Sequence, residues 1–237
     1  MPKFNFNRRV PSCHVNKELL SEIESYIKVG LEKKIGMTQD DEIRYKVSIE
    51  DKIGIETLES IKEYVPPMFP DGTKSIRVSW NNGYKTESRL EIAIYFDKEY
   101  YVSKVEVDSD ARNAKEMAVG TGDGILRILD SHRTFNWIFN PFSLPFLNPI
   151  IFFGMAFCIS AGAARIVSQQ KGLYFLAFAA LAGWYLLSSK YFRPFISFDS
   201  RRQLFLGKLW SYFSIGTIGF IIFGSLFPTI RKIFFGF

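Results

Sequence analysis

Two cysteines and two histidines in 237 residues leave little material for thiol or metal chemistry. Cys13 lies in a polar N-terminal segment and Cys158 in an apolar run, so the pair defines no disulfide framework. His14 beside Cys13 makes one ligand pair without the second that a closed zinc site requires, and it reads as a surface pair. The Gly-x-Ser-x-Gly, HExxH, phosphate-loop and dinucleotide signatures are all missing, so acyl transfer, zinc hydrolysis, phosphoryl transfer and hydride transfer have no foothold. The expectation is a protein that is not an enzyme and carries no cofactor or metal. Met1 to Val10 also lacks an apolar core and a cleavage site, so no secretory leader is expected and the N-terminal part is placed in the cytosol.

Acidic residues are scarce in one half only. Residues 136–237 hold a single acid, Asp199, against nine basic residues, whereas residues 1–135 hold 21 basic against 23 acidic. The formal charge of +6 therefore belongs to the C-terminal part, where cations flank apolar runs. That distribution argues against a nucleic-acid surface and for contact with membrane lipid.

Three apolar runs are present, at about 144–164, 172–189 and 209–230, the first with 21 consecutive uncharged residues. At about 1.5 Å per helical residue each spans roughly 27–33 Å, close to a hydrocarbon core about 30 Å thick. The expected architecture is an α+β head over 1–135, followed over 136–237 by an α-helical membrane domain of about three transmembrane helices. A basic loop, 190–208, joins the second and third. Arg133, Lys190, Arg193, Arg201, Arg202 and Lys208 fall on one side of such a membrane, against Arg165, Lys171, Arg231 and Lys232 on the other. This bias places the head in the cytosol and the C-terminus outside.

In the head, Leu20, Ile23, Ile27, Leu31 and Ile35 recur at helical spacing after a capping Asn16. Ile43, Tyr45, Val47 and Ile49 then alternate as a strand, and Leu58, Ile61 and Val65 return to helical spacing over 55–65. Ile76, Val78 and Trp80, an Asn82-Gly83 turn, and Leu90, Ile92, Ile94 and Phe96 predict a hairpin. A strand over 101–107 and a helix over about 110–130 follow. Together these predict an antiparallel sheet of about four strands covered by helices. The last helix contains Gly120-Thr-Gly-Asp-Gly124, read as a helix break or a close-packing site because no lysine follows to grip phosphate.

Small residues thin the apolar runs: Gly154, Cys158 and Gly162 in the first, Ala179 and Gly183 in the second, Gly216, Gly219 and Gly224 in the third. Such spacing lets helix backbones approach closely. Ser211, Ser214, Thr217 and Ser225 in the third run fit either packing or the lining of a pore, which would need several subunits. Lys190, Arg193, Arg201, Arg202 and Lys208 fit a basic loop on lipid phosphates or against the underside of the head.

At the level of layout, a compact head before a few small-residue-rich spans resembles the membrane effectors of bacterial anti-phage systems. That resemblance implies an integral homo-oligomer of a bacterial inner membrane that changes membrane permeability when a ligand or partner binds its cytosolic head, and it transfers no functional residue. The alternative is a membrane-anchored interaction module that holds a partner at the membrane.

Overall fold

Phe4 and Phe6 alternate with Asn5 and Asn7 at the start of the chain, and in the computed structural model this segment is a strand, β1 (Lys3–Arg9). The structure describes residues 3–31, 44–82, 89–98, 102–110, 112–139 and 192–219, with a few single positions between 153 and 185. After β1 come β2 (Cys13–Val15), α1 (Lys17–Ser25), β3 (Arg44–Glu50), β4 (Ile55–Leu58), β5 (Ser75–Asn81), β6 (Arg89–Asp97), β7 (Lys104–Asp110), α2 (Ala114–Ser131), β8 (Ile196–Phe198) and α3 (Arg201–Gly219). Six strands form one antiparallel sheet in the order β1-β7-β6-β5-β3-β4, while β2 and β8 pair in parallel as a separate ribbon.

The side-chain period of two gives this sheet one apolar and one polar face. Cross-strand register places Tyr45, Trp80, Ile92, Val107 and Phe6 in one row and Val47, Val78, Ile94 and Val105 in the next. All of these are buried beneath the helices. Each such side chain contributes about 1.5–3 kcal/mol when fully buried. Helix α2 lies over β1 and β7, and α1 packs beside it through the buried Leu19, Leu20 and Ile23.

Helix α1 starts where Asn16 Oδ1 accepts the Leu19 N–H at 2.8 Å, and it continues as a wider π-type turn through Tyr26–Leu31. Its buried Glu24 fastens it to the segment after β4, accepting from Lys28 Nζ at 2.7 Å, Ser60 Oγ at 2.7 Å and the Ile61 N–H at 2.9 Å. Burial alone would raise the Glu24 pKa, but these donors and the Lys28 charge outweigh it and hold the carboxyl below its ordinary value.

Several expectations are corrected. The sheet has six strands rather than four, because β1 and β4 extend it at both edges. The helix expected over 55–65 is instead β4 followed by a single 3-10 turn, Ile61–Glu63. The expected runs at 144–164 and 172–189, and 220–230 of the third, lie almost wholly outside the described residues. Among the described residues no helix is long and apolar enough to cross a membrane. Helix α3 begins at Arg201 rather than at Leu209, so Arg201, Arg202 and Lys208 fall within its 19 residues. The expected three-helix membrane domain, the integral inner-membrane localisation and the channel inferred from them therefore have no spanning helix among the described residues to rest on.

The segment expected as a basic loop joins the head's own core. Ile196–Phe198 pairs with Cys13–Val15, and Phe195, Ile196 and Phe198 are buried with the rest of the apolar cluster. The Phe69 N–H donates to Asp199 O at 2.8 Å and the Asp199 N–H to Val15 O at 2.9 Å, which fixes the approach to α3.

Candidate functional site

Cys13 and Val15 point into the core from β2, so the residue between them must face the other way. That residue is His14, and its Nδ1 hydrogen-bonds Ser197 Oγ at 2.9 Å across the parallel register. His14 and Ser197 form one wall of a cavity of about 350 Å3. Asn136 and Phe192–Arg193 add to the lining, and α3 contributes Gln203, Leu204, Gly207, Lys208 and Ser211 along an open side where Leu204, Lys208 and Ser211 are exposed.

Most of the neutral polar groups in this lining are already engaged. Asn136 Nδ2 donates to Pro194 O at 3.0 Å, Gln203 Nε2 to Phe192 O at 3.1 Å, and Ser211 Oγ to Gly207 O at 3.0 Å. The charged donors are not: Arg193 Nε is buried without a hydrogen-bond partner, and among the described residues no carboxylate pairs with Arg193 or Lys208. Among the described residues no acidic side chain lines the cavity. Burial lowers the His14 pKa below its ordinary value against the opposing pull of nearby Asp199, so the ring is neutral at pH 7.

Two other clefts lack this imbalance. The uncovered sheet face holds a cleft of about 410 Å3 around Lys3, Asn5, Arg89, Glu91, Asp108 and Asp110. Its cations are paired on the spot, Arg89 with Glu91 at 2.9 Å and Lys3 with Asp110 at 3.8 Å, Asn5 Nδ2 donates to Asp108 Oδ1 at 2.6 Å, and the group left buried without a partner there is an acceptor, Asp110 Oδ1. Further along the same face Lys104 meets Glu106 at 2.6 Å, and Tyr95 is flanked by Arg77 and Lys104. A smaller cleft of about 170 Å3 holds Lys98 and Arg202 together with Asp71, whose Oδ1 accepts the Arg202 N–H at 2.8 Å and caps α3.

The candidate residues distribute as follows. Arg193 and Lys208, expected on lipid phosphates or against the underside of the head, both line the cavity, while Arg202 belongs to the Asp71 cleft and Arg201 is exposed at the start of α3. Lys190 lies outside the described residues. Ser211 back-bonds within α3. Ser214, Thr217, Gly216 and Gly219 lie on α3, their side chains outside the described set, and Ser225, Cys158, Gly162, Ala179 and Gly224 are also outside it. Gly154 and Gly183 are isolated described positions, and nothing described lies within 4 Å of a Cβ at Gly154.

The Cys13–His14 pair is not at the surface, since Cys13 is fully buried and its thiol is pushed up to about 12 by that burial. Sequence reasoning missed His14, Ser197, Gln203 and Asn136 as site residues; their convergence depends on the pairing of β2 with β8. The glycine cluster lies within an unbroken α2, where Gly122 and Gly124 face Phe6 and Tyr26. Among the described residues no cluster of three or more His, Cys, Asp or Glu is placed to hold a metal ion. No protein-family model, curated protein or solved structure matches the chain.

Proposed function

We propose that this α+β body is a recognition module that binds a small ligand in the cavity beneath α3 and relays its occupancy through that helix, without chemical turnover. The observation that carries this reading is the composition of the cavity. Residue 14, residue 136 and residues 192–211 meet there, so an occupant links the N-terminal ribbon to the first three turns of α3. Its charged donors lack partners, and the adjacent Cys13 is held as an unreactive thiol. Ligand binding changes the balance between arrangements of α3 only to the extent that it prefers one of them.

Gly207 provides the test. It lines the cavity, and a Cβ there meets no described atom within 4 Å, so a larger side chain can start from this position and Gly207→Phe is chosen to occupy the space. A thermal-shift panel of neutral, cationic and anionic metabolites is expected to yield stabilising ligands for the parent chain whose effect disappears in Gly207→Phe. A panel in which every stabilising ligand acts equally on both proteins would refute the assignment.

A second reading, a docking module for a partner protein, is favoured by the edge of the sheet at β4, where Ile53, Ile55 and Val65 are exposed. It predicts that Ile53→Ser with Ile55→Ser abolishes activity while Gly207→Phe leaves it intact.

A further inference from the structure

The polar groups of the α3 cavity specify the chemistry of what fills it. A buried guanidinium nitrogen without an acceptor is costly, about 1–3 kcal/mol or more, unless an incoming group satisfies it. The groups left free in the lining are donors carrying positive charge, Arg193 before β8 and Lys208 on α3, and the His14–Ser197 pair of the ribbon lines the same cavity. With no carboxylate among the described lining residues, a cationic occupant meets only like charge and one without an acceptor leaves the buried Arg193 Nε unsatisfied, while Lys208, exposed on α3, adds attraction for an anion.

Among anions, a carboxylate is planar and is satisfied by one arginine fork. A phosphoryl group offers three acceptor oxygens around a tetrahedral centre and up to two negative charges, which matches donors that come from three separate chain segments. A volume of about 350 Å3 suits a small ligand and falls at the low end of pockets that bury one.

We infer that the cavity takes the phosphoryl group of a small phosphate monoester, with Arg193 and Lys208 as its charge partners and the hydrogen-bonded His14–Ser197 pair supplying one further donor, Nε2–H or Oγ–H according to the tautomer. This rests on the recognition reading above. The same chemistry is presented by a free phosphorylated metabolite and by the headgroup of phosphatidic acid. The neighbouring Lys98–Arg202 cleft is excluded because Asp71 lines it.

The experiment is isothermal titration of the full chain with inorganic phosphate and glycerol 3-phosphate, and flotation with phosphatidylcholine vesicles with and without phosphatidic acid. The proteins compared are the parent, Arg193→Met, Lys208→Met, Gly207→Phe and, as a control on the open sheet face, Lys46→Met. Each of the first two substitutions is expected to weaken phosphoryl binding about tenfold or more, Gly207→Phe to abolish it, and Lys46→Met to leave it unchanged. Binding of glycerol 3-phosphate identifies a soluble source, and binding confined to phosphatidic acid vesicles a headgroup source. Phosphoryl binding that survives in both Arg193→Met and Lys208→Met would overturn the assignment. If no phosphoryl probe binds but a neutral or cationic ligand is lost in Gly207→Phe, the ligand class is wrong and the recognition reading stands. If no probe or panel ligand depends on Gly207, both fail.

Discussion

Helix α2 carries three glycines whose replacement by alanine separates local propensity from tertiary packing. None of them has a left-handed backbone, so alanine fits the helix at each position. At Gly120 a Cβ meets nothing within 4 Å, and Gly120→Ala is expected to gain the helical preference of alanine, about 0.5–1 kcal/mol. At Gly122 the new Cβ would overlap the ring of Phe6, which is buried under α2 in β1. Making room requires the ring to leave its site, at a cost of about 1.5–3 kcal/mol in lost burial, so Gly122→Ala is expected to destabilise by about 1–2 kcal/mol net. At Gly124 the overlap is with the hydroxyl end of Tyr26, a partly buried ring packed against the core whose tip alone must move, and the expected change lies between those of the other two. Urea unfolding followed by circular dichroism measures all three. With a slope of about 1–3 kcal/mol per molar, the midpoints of Gly120→Ala and Gly122→Ala should differ by about 1 M. Equal stabilisation by both would refute the packing of β1 against α2.

Three further outcomes follow from buried polar groups. Glu24→Gln keeps the shape but turns an amide toward Ser60, Ile61 and Lys28, and is expected to cost about 2–4 kcal/mol by urea unfolding at pH 7, falling toward zero as the parent's carboxyl is protonated at lower pH. Because the folded pKa of His14 is lowered, the unfolded chain takes up that proton first, and stability is lost as pH falls from about 6.5. His14→Gln is expected to remove that part of the acid loss, so the stability difference between pH 7.5 and pH 5.5 should be smaller than in the parent. In a Cys158→Ser background, Cys13 is expected to resist iodoacetamide in the folded chain and to react once unfolded in urea, as its burial and raised pKa require.

The strands β3, β5 and β6 are legible in the sequence because a sheet covered on one face writes a period of two into the chain. Asn16 is legible as a cap for a similarly local reason. The strand β4 is not, because Leu58, Ile61 and Val65 fit a helical period over a stretch too short to exclude a strand; Val65 is 88% exposed and belongs to no apolar face. In β1 the alternation of Phe4 and Phe6 with Asn5 and Asn7 is visible, yet an edge strand shares its polar side with solvent and resembles a polar leader. The cavity is the least legible feature, because nothing local links Cys13–Val15 to Ile196–Phe198. The runs of cations that read as topology signals contain Arg193 and Lys208, and composition cannot separate these from their neighbours Arg201 and Arg202.

Hydrogen exchange on the full chain, with and without a saturating amount of a ligand whose stabilising effect depends on Gly207, tests the recognition site most directly. The account predicts slower exchange in β8 and the first three turns of α3, unchanged exchange in β4, and loss of the effect in Gly207→Phe. Unchanged exchange in α3, or protection centred on the open sheet face, would contradict it.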